Sequence, residues 1–66
     1  MTSRRKLILK ISIDDFISNA HLITSGYLYN KYDFGIKPAM IRRELNELDK
    51  EKFLYQAHPS GGRVPT

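Results

Sequence analysis

The sequence contains no cysteine and no tryptophan, and its 66 residues include only three prolines and four glycines. Without cysteine there is neither a disulfide framework nor a thiolate metal site to staple so short a chain. One small hydrophobic core must carry the fold. The same absence suits a reducing cytoplasm. Also missing is any apolar run near the roughly 18 residues that a membrane span needs. Arg4-Arg5-Lys6 before Leu7–Leu9 look superficially like the start of a signal peptide. Lys10, Ser12 and Asp14-Asp15 interrupt that stretch, and no small-residue cleavage site follows, so a cytoplasmic protein is expected. Acidic residues are the scarcer charge: seven Asp and Glu against eleven Lys and Arg leave a net charge of +4. The isoelectric point is about 9.6. That balance suits a polyanionic partner, nucleic acid or an anionic membrane surface, with a solvated basic surface as the plain alternative.

Hydrophobic periodicity supplies the elements. Ile8, Leu9, Ile13, Phe16, Ile17 and Ala20 recur at helical spacing, which predicts a helix from about Ser3 to Asn19 with that set as its buried stripe and Ser3 as N-cap. Arg4, Lys6, Lys10, Asp14 and Asp15 lie mostly off the stripe, and Asp14-Asp15 read as a solvated acidic turn. His21–Thr24 form a connector or a minimal strand. Thr24 or Ser25 opens a second, short helix through Tyr32, with Leu28 and Tyr32 facing inward. Asp33-Phe34-Gly35 break it, and Gly35 is suited to a positive φ. Pro38 begins a third helix that runs to about Glu51, with Ile41, Leu45 and Leu48 buried. Phe53–Ala57 read as a strand, His58–Gly62 as a turn cluster and Arg63–Thr66 as the start of a returning strand. The chain stops in mid-element, so an N-terminal piece of a longer protein is expected.

Two short helices joined by a glycine turn and followed by a hairpin have the layout of a winged helix-turn-helix. The expected fold is mainly α with a small β-hairpin wing, as one domain over residues 1–66. On the third helix, Ala39, Arg43, Asn46 and Lys50 fall opposite the buried stripe, with Met40 and Glu47 on one flank and Arg42 on the other. Arginine can donate in a fork to guanine, and asparagine can pair with adenine, so this face is chemically suited to base edges; a solvated polar face is the alternative. Ala39, Met40, Arg43 and Asn46 are the candidates for base contact. Ser25, Lys37, Arg42 and Lys50 are the candidates for the DNA backbone. Arg42 has a competing role, bracing the helix against the wing together with Glu44. At the wing, Ser60, Gly61, Gly62 and Arg63 could approach a phosphate or the minor groove, or the two glycines could simply supply positive φ to a hairpin loop.

Pro38-Ala39-Met40-Ile41-Arg42-Arg43-Glu44-Leu45, followed by Leu48 and by His58-Pro59-Ser60-Gly61-Gly62-Arg63-Val64-Pro65-Thr66, closely resembles the N-terminal domain of the heat-inducible transcription repressor HrcA family. That family typically reads S-P-A-T-I-R-N-E-M in the recognition helix and P-H-T-S-A-G-R-[IV]-P-[ST] in the wing. The resemblance extends without a gap from Ile8-Leu9 to Thr66. It implies a bacterial, nucleoid-associated repressor that binds double-stranded DNA at an inverted-repeat operator upstream of chaperone genes. It also implies chaperonin dependence and a longer polypeptide whose downstream domains form a homodimer. This chain departs from the pattern where the family's serine is Lys37, its threonine Met40 and its asparagine Arg43. Lys52 stands where a glycine is usual, which points to a left-handed conformation there or to a different turn. Pro59 and Gly61 replace threonine and alanine in the wing.

An enzyme finds little support. His21 and His58 lie two helices apart without an acid at ligand or triad spacing, and no metal, cofactor or small-molecule substrate is expected. Tyr27, Tyr29, Tyr32 and Tyr55 read as core-edge residues with hydroxyls reaching water. The serious rival is a winged helix used for protein contact, with Met40 as a hint. Arg43, Asn46, Lys50, the basic charge and the arginine in the wing favour DNA.

Overall fold

The protein is described by a computed structural model covering residues 1–57 and 61–66. Helix α1 spans Ser3–Asn19, α2 Ser25–Lys31 and α3 Pro38–Lys50; strands β1, Leu54–Gln56, and β2, Arg63–Pro65, follow. The strands pair antiparallel, with Leu54 opposite Pro65 and Gln56 opposite Arg63. On its other side β2 meets the connector between α1 and α2 through one bridge. Ile23 and Arg63 exchange both backbone hydrogen bonds, at 2.9 and 2.8 Å. The minimal strand expected at His21–Thr24 is this single residue pair. Three helices with a hairpin make a winged helix, in agreement with the fold class expected from the sequence.

The core is Ile8, Ile23, Leu28, Ile41, Leu45, Leu48 and Leu54, all buried. Each such side chain contributes about 1.5–3 kcal/mol by leaving water. Helix α3 supplies three of them at the i, i+4, i+7 spacing read from the sequence, and it packs on α1, α2 and β1. The inner face of α3 is thereby committed, and the outer face is left to solvent.

The stripe expected for α1 needs correction. Its buried residues are Ile8, Ser12 and Asp15, whereas Ile17 is 75% exposed and Ala20 is exposed. The helix is turned so that two polar residues face inward. Hydrophobicity alone set Asp15 off the stripe because it carries no knowledge of that residue's partners; Ser12 Oγ is buried without a hydrogen-bond partner among the described residues. The N-cap is Thr2, whose hydroxyl accepts from the Arg5 N–H, and not Ser3. Ala20 closes the helix in a left-handed conformation, its N–H donating to the Phe16 carbonyl.

Helix α2 is capped by Thr24, whose Oγ1 accepts from the Tyr27 N–H at 3.0 Å. Gly35 has φ +71°, as its place in the break between the helices suggested. Helix α3 starts without a side-chain cap, because Lys37 offers no acceptor; Pro38 fits the first turn, where a missing N–H is no loss. Its end is a Schellman motif. The N–H of Phe53 donates to the Leu48 carbonyl and that of Lys52 to Asp49, each at 3.0 Å, with Lys52 at φ 68°. The left-handed alternative for Lys52 is the one realised.

Gly62 plays a different part from the one expected. It is buried and its φ is not positive. A Cβ built there would lie 2.8 Å from Thr24 Cγ2 and 2.9 Å from the Ile23 carbonyl oxygen. The residue is therefore a close-packing glycine under the Leu22–Thr24 connector, and not an exposed contact at the wing tip. Lys52→Gly should raise stability by about 0.5–1 kcal/mol, since left-handed strain of about 1–2 kcal/mol exceeds the added unfolded-chain entropy. Gly62→Ala should lower it by about 1–3 kcal/mol through overpacking against backbone. Urea unfolding of the two variants checks both signs, and a neutral Gly62→Ala would contradict the close approach.

Candidate nucleic-acid interface

The outer face of α3 and the wing enclose a shallow concavity lined by Ala39, Arg42, Arg43, Asn46, Lys50 and Arg63, together with Glu47 and Asp49. Six of the residues singled out in the sequence therefore meet on one surface. Arg42, Arg43, Asn46 and Lys50 are exposed. The two carboxylates are engaged: Glu47 Oε1 lies 3.5 Å from Lys50 Nζ, and Asp49 Oδ2 accepts from Arg63 Nε at 3.0 Å. The positive field of Arg42 and Arg43 is thus opposed only by acids that already have cationic partners.

Other expected residues are placed elsewhere. Met40 is half-buried and does not line the concavity. Lys37 is exposed at the N-cap of α3. Ser25 is the half-buried first residue of α2, beside the capping Thr24. Gly61 is half-buried next to the hairpin, and Ser60, with His58 and Pro59, lies outside the described residues.

Arg63 requires a correction. Its side chain is only 18% exposed and turns back onto α3, with Nε on Asp49 and Nη2 donating to Asn46 Oδ1. The sequence displayed an arginine beside glycines in a turn, which suggested an outward contact; two acceptors one helical turn apart on α3 capture it instead. The bracing role considered for Arg42 and Glu44 is accordingly filled by Arg63. Glu44 is buried on the opposite side of α3, where Oε1 meets Arg5 Nε and Nη2 at 2.9 Å and Oε2 meets Arg4 Nε at 3.1 Å. Burial pushes its pKa up, but hydrogen bonds from Arg5 and then Arg4 outweigh it and leave the carboxyl below its ordinary value.

A second buried carboxylate positions α2. Asp15, 4% exposed, accepts from Tyr27 Oη at 2.8 and 3.0 Å and from Tyr32 Oη at 2.5 Å, with Lys31 Nζ at 2.8 Å. The hydrogen bonds from Lys31 and Tyr32 hold the Asp15 carboxyl far below the usual carboxylate range, against the opposing pull of burial. Asp15 holds Lys31 above, and Tyr32 above, their ordinary values. Asp15 is therefore no solvated acidic turn, although Asp14 is exposed and pairs with Lys10. The Tyr27 and Tyr32 hydroxyls donate to the Asp15 carboxylate. His21 stacks on Tyr27, with ring centroids 3.6 Å apart, which gives that histidine a packing role. Asp15, Glu44 and Asp49 are the residues that sequence reasoning missed. The tyrosine spacing of five residues in and after α2 was the available hint for the first; nothing local marked the other two.

No family model matches the chain. Along all 66 residues it is 42% identical to the heat-inducible transcription repressor HrcA of Roseiflexus sp. (strain RS-1), of which it covers 18%. It is 42% identical to that of Leptospira biflexa, again over 66 residues and covering 19%. With that of Desulfitobacterium hafniense the figures are 38% and 19%. The chain thus spans under a fifth of the length of the curated relatives it matches, and the resemblance carried by residues 38–45 and 58–66 holds across the whole chain. Among solved structures, the crystal structure of a hypothetical protein superimposes with a TM-score of 0.92 at 26% identity, over 100% of this chain and 21% of that one.

Both depressed carboxylates bind fewer protons folded than unfolded. Their stabilisation is present above the ordinary values of 3.8 and 4.5 and is lost as pH falls through that range toward the folded pKa values. The thermal midpoint should fall steadily between about pH 5 and pH 2. Asp15→Asn should lower it at neutral pH and flatten the acid limb. A midpoint insensitive to acid would show that these carboxylates are not held ionised by the fold.

Proposed function

We propose that this domain, similar throughout to one part of the HrcA repressors, binds double-stranded DNA sequence-specifically as the operator-reading part of a transcriptional repressor of heat-shock genes. One observation carries the reading. The inner face of α3 is consumed by the core, while its exposed outer face gathers Arg42, Arg43, Asn46 and Lys50 beside the wing. A helix with its side chains is about 10–12 Å across, which suits a major groove about 12 Å wide.

In this reading Ala39, Met40, Arg43 and Asn46 face bases, with Arg43 donating in a fork to guanine O6 and N7. Lys37, Arg42 and Lys50 lie along phosphates, and Ser25 and Gly61 offer further contacts from α2 and the wing. Arg63 acts mainly from within, through α3. The intact repressor is a cytoplasmic, nucleoid-associated homodimer assembled through segments outside this chain. It reads an inverted repeat, and its activity depends on the chaperonin. A protein-docking role would call for apolar side chains on the outer face of α3. Met40 is half-buried and the other exposed residues there, Ala39 apart, are polar, which favours DNA.

If each domain contacts about four phosphates, log K against log salt should have a slope of about −3.6. Arg43→Ala should relax base preference at one position and cost about 1–3 kcal/mol on the best site. Lys50→Ala should weaken all sequences alike. Titration of duplexes carrying single mismatches separates the two, and a slope near zero would remove DNA as the partner. Fused to an unrelated dimerising coiled coil, the domain should gain roughly 10²–10⁴ in apparent affinity for an inverted repeat, with strong dependence on half-site spacing. Indifference to spacing would contradict a pair of heads reading two half-sites.

A further inference from the structure

Arg63 does more than tie the wing to α3, because it decides which end of the Asn46 amide faces outward. Its Nη2 donates to Asn46 Oδ1 while Nε donates to Asp49 Oδ2, so one planar guanidinium spans both residues. The β2 backbone holds Arg63 in place through the paired bonds to Ile23. A guanidinium has donors only, so the side of Asn46 that meets it must be the carbonyl oxygen. The two ends of an asparagine amide are otherwise easily confused, and here the chemistry of the partner settles which is which. The amide NH2 is left on the exposed side, where no described residue accepts from it.

We propose that Arg63 is a positioning residue for specificity: it presents Asn46 to the major groove as a hydrogen-bond donor, so that this position reads a purine N7 without distinguishing adenine from guanine. The inference rests on α3 reading DNA. The familiar asparagine–adenine pairing is bidentate, with Oδ1 accepting from N6 and Nδ2 donating to N7. With one Oδ1 lone pair taken and the carbonyl turned toward Arg63, the bond to N7 is the one the amide offers freely, and both purines carry N7. Asp49 takes part as the second anchor of the fork, since it fixes the guanidinium plane.

The test has two arms on the 66-residue chain. The first needs no DNA: side-chain couplings and amide signals of Asn46 are measured by NMR in the wild type and in Arg63→Lys. A single Asn46 rotamer is expected in the wild type, and averaging in the variant, whose ammonium cannot span both acceptors. An averaged Asn46 in the wild type overturns the proposal, whether or not the domain binds DNA. The second arm titrates duplexes varied at the position whose preference Asn46→Ala abolishes. Wild type should bind adenine and guanine there within about twofold and disfavour cytosine, which offers no major-groove acceptor, by about tenfold. Arg63→Lys should shift to adenine over guanine by about tenfold with an unchanged salt slope, as Oδ1 becomes available. Asp49→Asn, which leaves Arg63 and its backbone pairing in place, should move the same way by less. A wild type that already prefers adenine by tenfold, or an Arg63→Lys variant that weakens every sequence equally and lowers the salt slope, overturns the proposal. Failure of all duplexes to show salt-dependent binding sinks the DNA reading instead, and the NMR arm still decides whether Arg63 orients Asn46.

Discussion

A carboxylate under a helix has to be compensated where it lies, and in this domain that requirement organises the packing of α1 against α3. Glu44 sits among the core residues of α3, within one residue of Leu45, and is held by Arg4 and Arg5 from the first turns of α1. Removing one partner from a buried ion pair leaves a charge without water, a far larger penalty than the pair's net benefit. The rotation of α3 about its axis follows: with Glu44 pinned inward, Arg42, Arg43 and Asn46 point out. Direction comes from the charged contact, and most of the stabilisation comes from the apolar ones.

Asp15 does for α2 what Glu44 does for α3. Two hydroxyls and an ammonium converge on it, so a seven-residue helix too short to persist alone is fixed against α1. With seven buried apolar core residues among those described, these two polar junctions supply orientation that a larger core would supply by shape. Both depend on α1, which supplies none of the lining residues named for the concavity yet bears on how its walls are set.

The elements themselves were legible in the sequence. The apolar period of α3, Pro38 at its start, the Gly35 break and the unusual Lys52 all reported local physics, and each is found where it was read. The wing motif and the Pro38–Leu45 motif of α3 pointed to the fold more sharply than any periodicity, because they constrain particular residues. Illegible were the features that depend on distant partners. Asp15 faces inward because Tyr27 and Lys31 on α2 and Tyr32 just after it converge on its carboxylate, which a wheel drawn for α1 alone cannot register. Arg63 turns inward because Asn46 and Asp49 happen to stand one turn apart. Gly62 looked like a residue chosen for freedom of φ, and it is instead one chosen for lack of a side chain. Of the candidate surface, the α3 face was readable and the wing's contribution was not.

The bridge between Ile23 and Arg63 has a consequence for the order in which the domain can be assembled. All three helices precede β2 along the chain, and each can begin to form from neighbouring residues. The partner that closes the connector at Ile23 and steadies Asn46 arrives only with β2, across 40 residues of sequence (63 − 23). Loop closure over such a separation comes late and is driven by few contacts. The concavity beside α3 is therefore completed only by the element that stands last in the sequence. The orientation of the helices is set by contacts among themselves, and what β2 adds is the closure of the connector and the hold on Asn46.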